Sequence, residues 1–545
     1  MTPAANPLDK QNPANLNASI GEPFTYRITI PDVVQNTAIH DVRILDDLAL
    51  SAADLVFVSV TRVSGSLPWT PVNVGGAKNI IIADSGPDGI DIPANEQIEI
   101  DITVQLRNQP VNTATPPLLF NNTASYTFNM VDDDNGTQGV TVPVTTGNMT
   151  VVEPELTLMK TGPAIAQFGS PIPYRLEIEN TGTGPAHDIT IRDRLPDVTD
   201  AGPPQTGGTC DVSPNNVIVQ VTDDALAVLR TLVLNTDYTV VHTPAPTCEF
   251  VITTTSSPLQ PAAILAADER MVITYDAFLD VDTINAVSLT NVAGVTEWFS
   301  ADTAGAGAVG EVRTYPGVLT DGTPLVVDNQ DNHTVVTESP VLVIQKTVVN
   351  TTSGQDPGVN AEPGDTLSYT IFIQNTGPVA ITGMRVTDEP DRLTTPPGLF
   401  VPGSMTNITT TAGTDNSIIN GGANGAGLVD ISNINLGDAG NLVTPDNVTI
   451  TFDVTIQPVL PSGSLVRNQA LVEAPNFSTL LSDDPNVNGV DDPLIFGDED
   501  TTDTLVGSVP TFRLQKQSQD LTGDPNVLAQ GDSLRYTITA KNIGV

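Results

Sequence analysis

Residues 342–373 read LVIQKTVVNTTSGQDPGVNAEPGDTLSYTIFI. Apolar side chains fall on every second position, at Leu342, Ile344 and Val348 and again at Leu367, Tyr369, Ile371 and Ile373. That period belongs to a strand with one buried face. The segment between them, with Pro357, Gly358, Pro363, Gly364 and Asp365, is turn-like. One residue breaks the rule: Lys346 stands in the apolar phase of its strand.

The same design occurs three more times, in residues 8–30, 156–178 and 514–540. Each copy has a lysine (Lys10, Lys160, Lys516), a glycine-bearing turn and a tyrosine in an alternating strand (Tyr26, Tyr174, Tyr536). Asn-Thr-Gly follows at Asn180 and Asn375, and Asn-Ile-Gly at Asn542. Next come HDVRILDDL (40–48), HDITIRDRLPD (187–197) and TGMRVTDEPDRL (382–393). A long strand follows in each complete copy (98–106, 271–279, 448–456), then a final predicted strand (119–128, 289–297, 466–474). Lysine-to-lysine spacings are 150, 186 and 170 residues, so the chain is an array of repeats.

Short β-branched segments with turn residues between them predict an all-β fold: tandem immunoglobulin-like β-sandwich domains in a linear array. The predicted domains are 1–153, 154–339 (with a cysteine-containing insertion), 340–509 and the start of a fourth copy, 510–545. A proline precedes the first strand at each joint and stiffens it. With 545 residues the chain is too long for one core. No export signal and no apolar run long enough to span a membrane is seen, and the sequence reads as a piece of a longer exported protein.

The charge is lopsided: 64 acidic against 21 basic residues, a net of −43. Such a surface excludes nucleic acid and anionic lipid as partners and suits an extracellular, cell-surface setting. Cys210 and Cys248 lie 38 residues apart without metal spacing. Their expected use is a disulfide bracing the insertion, which implies an oxidising compartment. The alternative is two free buried thiols.

There are six lysines, and four occupy the repeat position just described. Each therefore points into its core, where an unaccompanied ammonium costs several kcal/mol or gives up its proton. Two further polar residues recur in the inward phase of complete repeats. One is an aspartate (Asp46, Asp193, Asp388) and the other an asparagine (Asn122, Asn291, Asn468). Lys, Asp and Asn are the groups that a self-formed isopeptide bond requires. A desolvated amine is a nucleophile, and a buried carboxyl group can carry the proton and polarise the asparagine carbonyl. Tension along the chain would then load a covalent amide. The competing reading is an uncrosslinked Lys–Asp pair with the asparagine capping a strand end. A second recurring aspartate, Asp101, Asp276 and Asp453, is the rival for the catalytic role; in the first and third repeats it falls in the opposite phase and so reads as facing outward. The first repeat departs most from the pattern, lacking Asn-Thr-Gly and following Asp46 with Asp47.

Taken together, the order Lys, Gly-Asp, Tyr-x-Ile, Asn-Thr-Gly, Asp, Asn-x-Ala resembles a bacterial surface-protein repeat of unknown function. The match is closest in the third repeat, with IQKT, PGDTLSYTIFIQNTGP, VTDEP and NQALV. The Lys/Asp/Asn order also resembles isopeptide-forming stalk domains of collagen-binding adhesins. The resemblance implies bonds within Lys160/Asp193/Asn291 and Lys346/Asp388/Asn468, and within Lys10/Asp46/Asn122. It implies a structural stalk or adhesin segment and no enzyme beyond autocatalytic crosslinking. Its partners would be neighbouring repeats and a host or cell-surface ligand.

Two other functions compete. One is a fibre subunit, self-assembling by strand addition. The other is a carbohydrate-binding module, which would need exposed aromatics from Trp69 and Trp298. No cofactor is required. Calcium is the candidate ion for the acidic loops at Asp132, Asp133 and Asp134, at Asp328 and Asp331, and at Asp483, Asp484 and Asp491. No nucleophile elbow, P-loop or zinc spacing is found. His40 and His187, at equivalent repeat positions, read as surface residues.

Overall fold

The computed structural model describes residues 6–86, 89–132, 139–197, 207–257, 260–304, 310–320, 328–394, 397–461, 463–475, 477–487, 499–507, 512–524 and 527–542. Apart from two single-turn 3-10 helices, the regular elements among them are strands. Among the described residues, no helix is long and apolar enough to cross a membrane.

Three hydrophobic cores lie along the chain, within residues 8–151, 156–335 and 342–506. Each fills an immunoglobulin-like sandwich whose strand pairings are antiparallel apart from one short parallel pairing per repeat. In all three, the lysine strand pairs with the tyrosine strand, which pairs with the long strand. These are Asp9–Gln11, Pro23–Ile30 and Ile98–Leu106 in the first repeat. They are Leu156–Thr161, Ile172–Asn180 and Arg270–Ala277 in the second, and Leu342–Asn350, Thr366–Asn375 and Asn447–Thr455 in the third. The facing sheet carries the aspartate strands, Ile39–Asp47, His187–Arg194 and Ile381–Asp388.

Alternation sets the packing: Leu342, Ile344, Lys346 and Val348 are buried while the residues between them are half-exposed. Asn-Thr-Gly locks the next corner. Asn375 donates to the Val379 and Gly437 carbonyls at 2.7 and 2.8 Å and accepts from the Gly377 and Val341 amides. A Cβ on Gly377 would lie 2.5 Å from the Val341 nitrogen, so only glycine fits. Asn180 and Gly182 repeat the arrangement against Glu155.

Two expectations need correction here. The asparagine strand is not the last of its repeat. Met149–Val152, Gln330–Glu338 and Thr502–Val506 follow, each returning parallel beside the segment between the lysine and tyrosine strands. Acidic, turn-like residues precede these strands and disguise them as linker. Second, Lys516 does not point into a core. It lies on the hairpin Phe512–Asp520 and Leu534–Asn542, 4.4 Å over the Tyr536 ring. Leu514 and Ile538 on this hairpin are 72% and 68% exposed, because no second sheet covers it among the described residues.

The first two repeats are pinned together at their joint. Arg313 donates to Glu153 at 2.7 Å and to the Gln109 and Asn112 carbonyls, while Glu311 accepts from Arg107 and the Asn108 amide. Burial pushes the Glu153 carboxyl up, but donors from Ala114, Tyr315 and Arg313 outweigh it and hold it below its ordinary value.

Candidate functional site: a buried Lys–Asp–Asn cluster in each repeat

The lysine strand and the aspartate strand belong to opposite sheets, so their inward side chains meet at mid-core. Lys10 Nζ donates to Asp46 Oδ2 at 2.7 Å, and Lys160 Nζ to Asp193 Oδ2 at 2.6 Å. Lys346 Nζ donates to Asp388 Oδ2. All six side chains have zero solvent exposure.

Asn122, Asn291 and Asn468 are equally buried. The Asn-x-Ala pattern has a geometric reason. Ala124 is directly opposite Asp46, and Ala293 directly opposite Asp193. An asparagine two residues earlier shares that face as the diagonal neighbour, close enough for its amide to approach the carboxylate. In the first repeat Asn122 Nδ2 donates to Asp46 Oδ2 at 3.3 Å, the same oxygen that Lys10 reaches. Amine and amide therefore converge on one carboxylate oxygen. In the third repeat neither amide atom of Asn468 has a hydrogen-bond partner. In the second repeat Asn291 Nδ2 donates to the Tyr275 hydroxyl at 3.1 Å.

Burial lowers the pKa of all three lysines, against the opposing pull of the paired aspartate; Lys346 is brought to about 8. The remaining aspartate oxygens, Asp46 Oδ1, Asp193 Oδ1 and Asp388 Oδ1, accept no hydrogen bond. Such a pair is costly to keep: desolvation of two ions rivals their attraction, and unpartnered buried oxygens add to the cost.

The recurring tyrosines had no role in the sequence reading. They roof the site, with the lysine ammonium 4.7 Å from the Tyr26 and Tyr174 ring centroids and 4.9 Å from that of Tyr369. A cation over a ring face is held electrostatically. Their fixed place in the repeat was the available signal.

The outward aspartates stay outside the cluster. Asp101 forms a two-armed pair with Arg27, Asp276 accepts from Asn216 and Asp453 from Asn407. Asp101 is also out of step with the other two: it is opposite Arg27, whereas Asp276 and Asp453 are opposite Pro173 and Ser368, two places further along.

Cys210 and Cys248 form a disulfide, S–S 2.07 Å. Of the acidic residues proposed for calcium, Asp133, Asp134 and Asp491 lie outside the described residues. Asp331 and Asp483 accept hydrogen bonds from the lysine strand. The Asp331 carboxylate accepts the Lys160 amide at 2.8 Å, and the Asp483 carbonyl accepts the Lys346 amide at 2.7 Å. Asp483 Oδ1 also accepts from the Asp500 amide, and Asp484 is buried. The Asp328 carbonyl accepts from the Leu158 amide. Asp132 has ligand atoms within 4.8 Å of those of His40 and Asp91.

The histidine reading needs correction. His187 is buried, 5% exposed, with Nδ1 3.2 Å from the Ser256 hydroxyl, and burial lowers its pKa. His40 is half-buried, 3.2 Å from Asp91. Trp69 and Trp298 are both 8% exposed, and Trp298 stacks on Tyr315 at the joint. Neither offers the open aromatic face that a carbohydrate site would need.

No protein-family model matches the chain, and no curated protein matches it. Solved structures to which it is similar include a collagen-binding domain from a Staphylococcus aureus adhesin, at 14% identity and TM-score 0.18, covering 33% of this chain and 97% of that one. The C-terminal domain of the Streptococcus pyogenes antigen I/II-family protein AspA is similar at 11% identity and TM-score 0.26, over 61% and 99%. The full-length major pilin SpaD of Corynebacterium diphtheriae is similar at 11% identity and TM-score 0.22, over 88% and 92%. What is proposed below rests on this chain's own residues.

Proposed function

We propose that the chain is a load-bearing stalk segment of an extracellular surface protein whose sandwiches close themselves with Lys–Asn isopeptide bonds. The observation that carries this is the convergence of the Lys10 amine and the Asn122 amide on one Asp46 oxygen inside a sealed core. The same residue types are buried together in the other two repeats.

The chemistry balances without a co-reactant. The lysine amine, whose charged form burial disfavours, gives its extra proton to the aspartate and attacks Cγ of the asparagine. A bond forms between Nζ and Cγ, and the bond from Cγ to the amide nitrogen breaks. One amine proton passes by way of the aspartate to the departing nitrogen, which leaves as ammonia. The product is a neutral amide joining the two sheets, in place of an ammonium that the core solvates poorly. The cluster is consumed in forming one bond, so it has no turnover.

The mechanical role follows from placement. Each bond would tie the strand that enters a repeat to the asparagine-bearing segment across the core, so a pull on the chain meets a covalent link before it can peel the lysine strand away. The clamped joint between the first two repeats, the disulfide and the acidic surface fit a rod exposed to an oxidising exterior. Calcium at the acidic loops remains part of this proposal, with Asp132 beside His40 and Asp91 as the described geometry that favours a cation.

Intact mass of the reduced, denatured chain tests the reading. Each bond removes one ammonia, about 17 Da. A mass equal to that calculated from the sequence would refute it.

A further inference from the structure

The three clusters are not alike, and the difference lies in one side chain of the long strand. The residue opposite the roofing tyrosine is Ile102 in the first repeat, Phe452 in the third and Tyr275 in the second. Of these three residues only Tyr275 carries a hydroxyl. Lys160 Nζ donates to it at 2.9 Å, Asn291 Nδ2 donates to it at 3.1 Å, and it donates in turn to Asp193 Oδ2. Its oxygen is thus hydrogen-bonded to both the amine and the amide.

We infer that Tyr275 is an interposed blocking residue that keeps the second repeat uncrosslinked, and that the Cys210–Cys248 disulfide is the covalent staple of that repeat. This inference rests on the isopeptide reading of the other two clusters.

Attack requires the amine about 3–3.5 Å from the amide carbon. In the second repeat the phenol oxygen, and not the carboxylate, is the acceptor that amine and amide share. It also redirects the amide. In the first repeat the nitrogen that must leave lies on the aspartate, whereas in the second it lies on Tyr275. Asp193 Oδ2 is occupied by Lys160 and Tyr275 together and is not presented to Asn291. The phenol stays protonated, because burial foremost, with the Asp193 charge, raises its pKa well above the ordinary value.

The disulfide points the same way independently. Cys210 precedes the strand Asn215–Thr222 of the lysine-bearing sheet, and Cys248 immediately precedes Glu249–Thr254 of the facing sheet. It therefore ties the segment leading into a strand of one sheet to the segment leading into a strand of the other, in the one repeat whose cluster is obstructed, and no other cysteine exists in the chain.

The experiment counts ammonia losses by intact mass in the full chain after reduction. Wild type is expected to lose two, Tyr275→Phe three, and Phe452→Tyr, which places a hydroxyl at the matching position of the third repeat, only one. Recovery of the disulfide before reduction checks that the second repeat of Tyr275→Phe has folded. Three losses in wild type would overturn this inference while leaving the isopeptide reading intact. So would two losses in both wild type and Tyr275→Phe, or an unchanged count in Phe452→Tyr. No loss in any of the three proteins would overturn the isopeptide reading and this inference with it.

Discussion

Replacing Asn468 by alanine separates a covalent cluster from a static one by the size of its effect. Asn468 is buried, and its amide makes no hydrogen bond. If the third repeat holds an uncrosslinked Lys346–Asp388 pair, the substitution removes an unsatisfied polar group whose burial costs about 1–3 kcal/mol and leaves a small cavity of comparable cost. The net change would then be within about 1 kcal/mol of zero, in either direction. If Asn468 is bonded to Lys346, the bond closes a loop of 122 residues. The chain-entropy relation used for disulfides makes such a closure worth about 5 kcal/mol. For a domain of this size that is a midpoint shift of about 10–20 °C. Calorimetry of the full chain reads this as one transition moving down while the others stay in place. An unchanged or raised midpoint for the third repeat would refute the reasoning.

Other consequences follow from the same groups. In Asn468→Ala, Lys346 keeps its amine and its folded-state pKa of about 8, below the unfolded value, because burial disfavours the charge. The unfolded chain therefore holds more protons from about pH 8 upward, and stability should rise with pH to about 10, by at most about 1.4 kcal/mol per unit; a flat or falling profile in urea melts would contradict this. Asp280 behaves oppositely: burial, against donors from the Cys210 and Asp211 amides, raises it to about 6. The second repeat should thus lose stability as pH rises from about 4 to about 6, and Asp280→Asn should flatten that slope in thermal melts. Replacing Cys210 and Cys248 together by alanine opens a 38-residue loop and should cost the second repeat about 3–4 kcal/mol in denaturant titration, with the other transitions unmoved.

The strands and the cluster were legible in the sequence for one reason: alternation. A lysine at an apolar beat, an aspartate at another and an asparagine at a third must all point inward, and in a two-layer sandwich inward side chains from facing sheets have few places to go. What alternation cannot supply is register across the core. Tyr275 is also on an inward beat, and it reads there as one more aromatic core residue. Only the pairing of Tyr174 with Tyr275 brings its hydroxyl within hydrogen-bond reach of both Lys160 and Asn291. The same limit hid the closing strands. Gln330–Glu338 follows an acidic stretch and mixes polar with β-branched residues, so its composition reads as a linker until its pairing with Ser288–Phe299 is seen. Lys516 shows the converse. Its beat is correct, but a beat assigns a face, and burial needs a second sheet over that face.

Peptide mapping of the reduced wild-type chain by tandem mass spectrometry tests the central claim most directly. Branched peptides joining Lys10 to Asn122 and Lys346 to Asn468 are predicted, with Lys160 recovered in a linear peptide. Recovery of Lys10 and Lys346 as free side chains throughout would contradict the account.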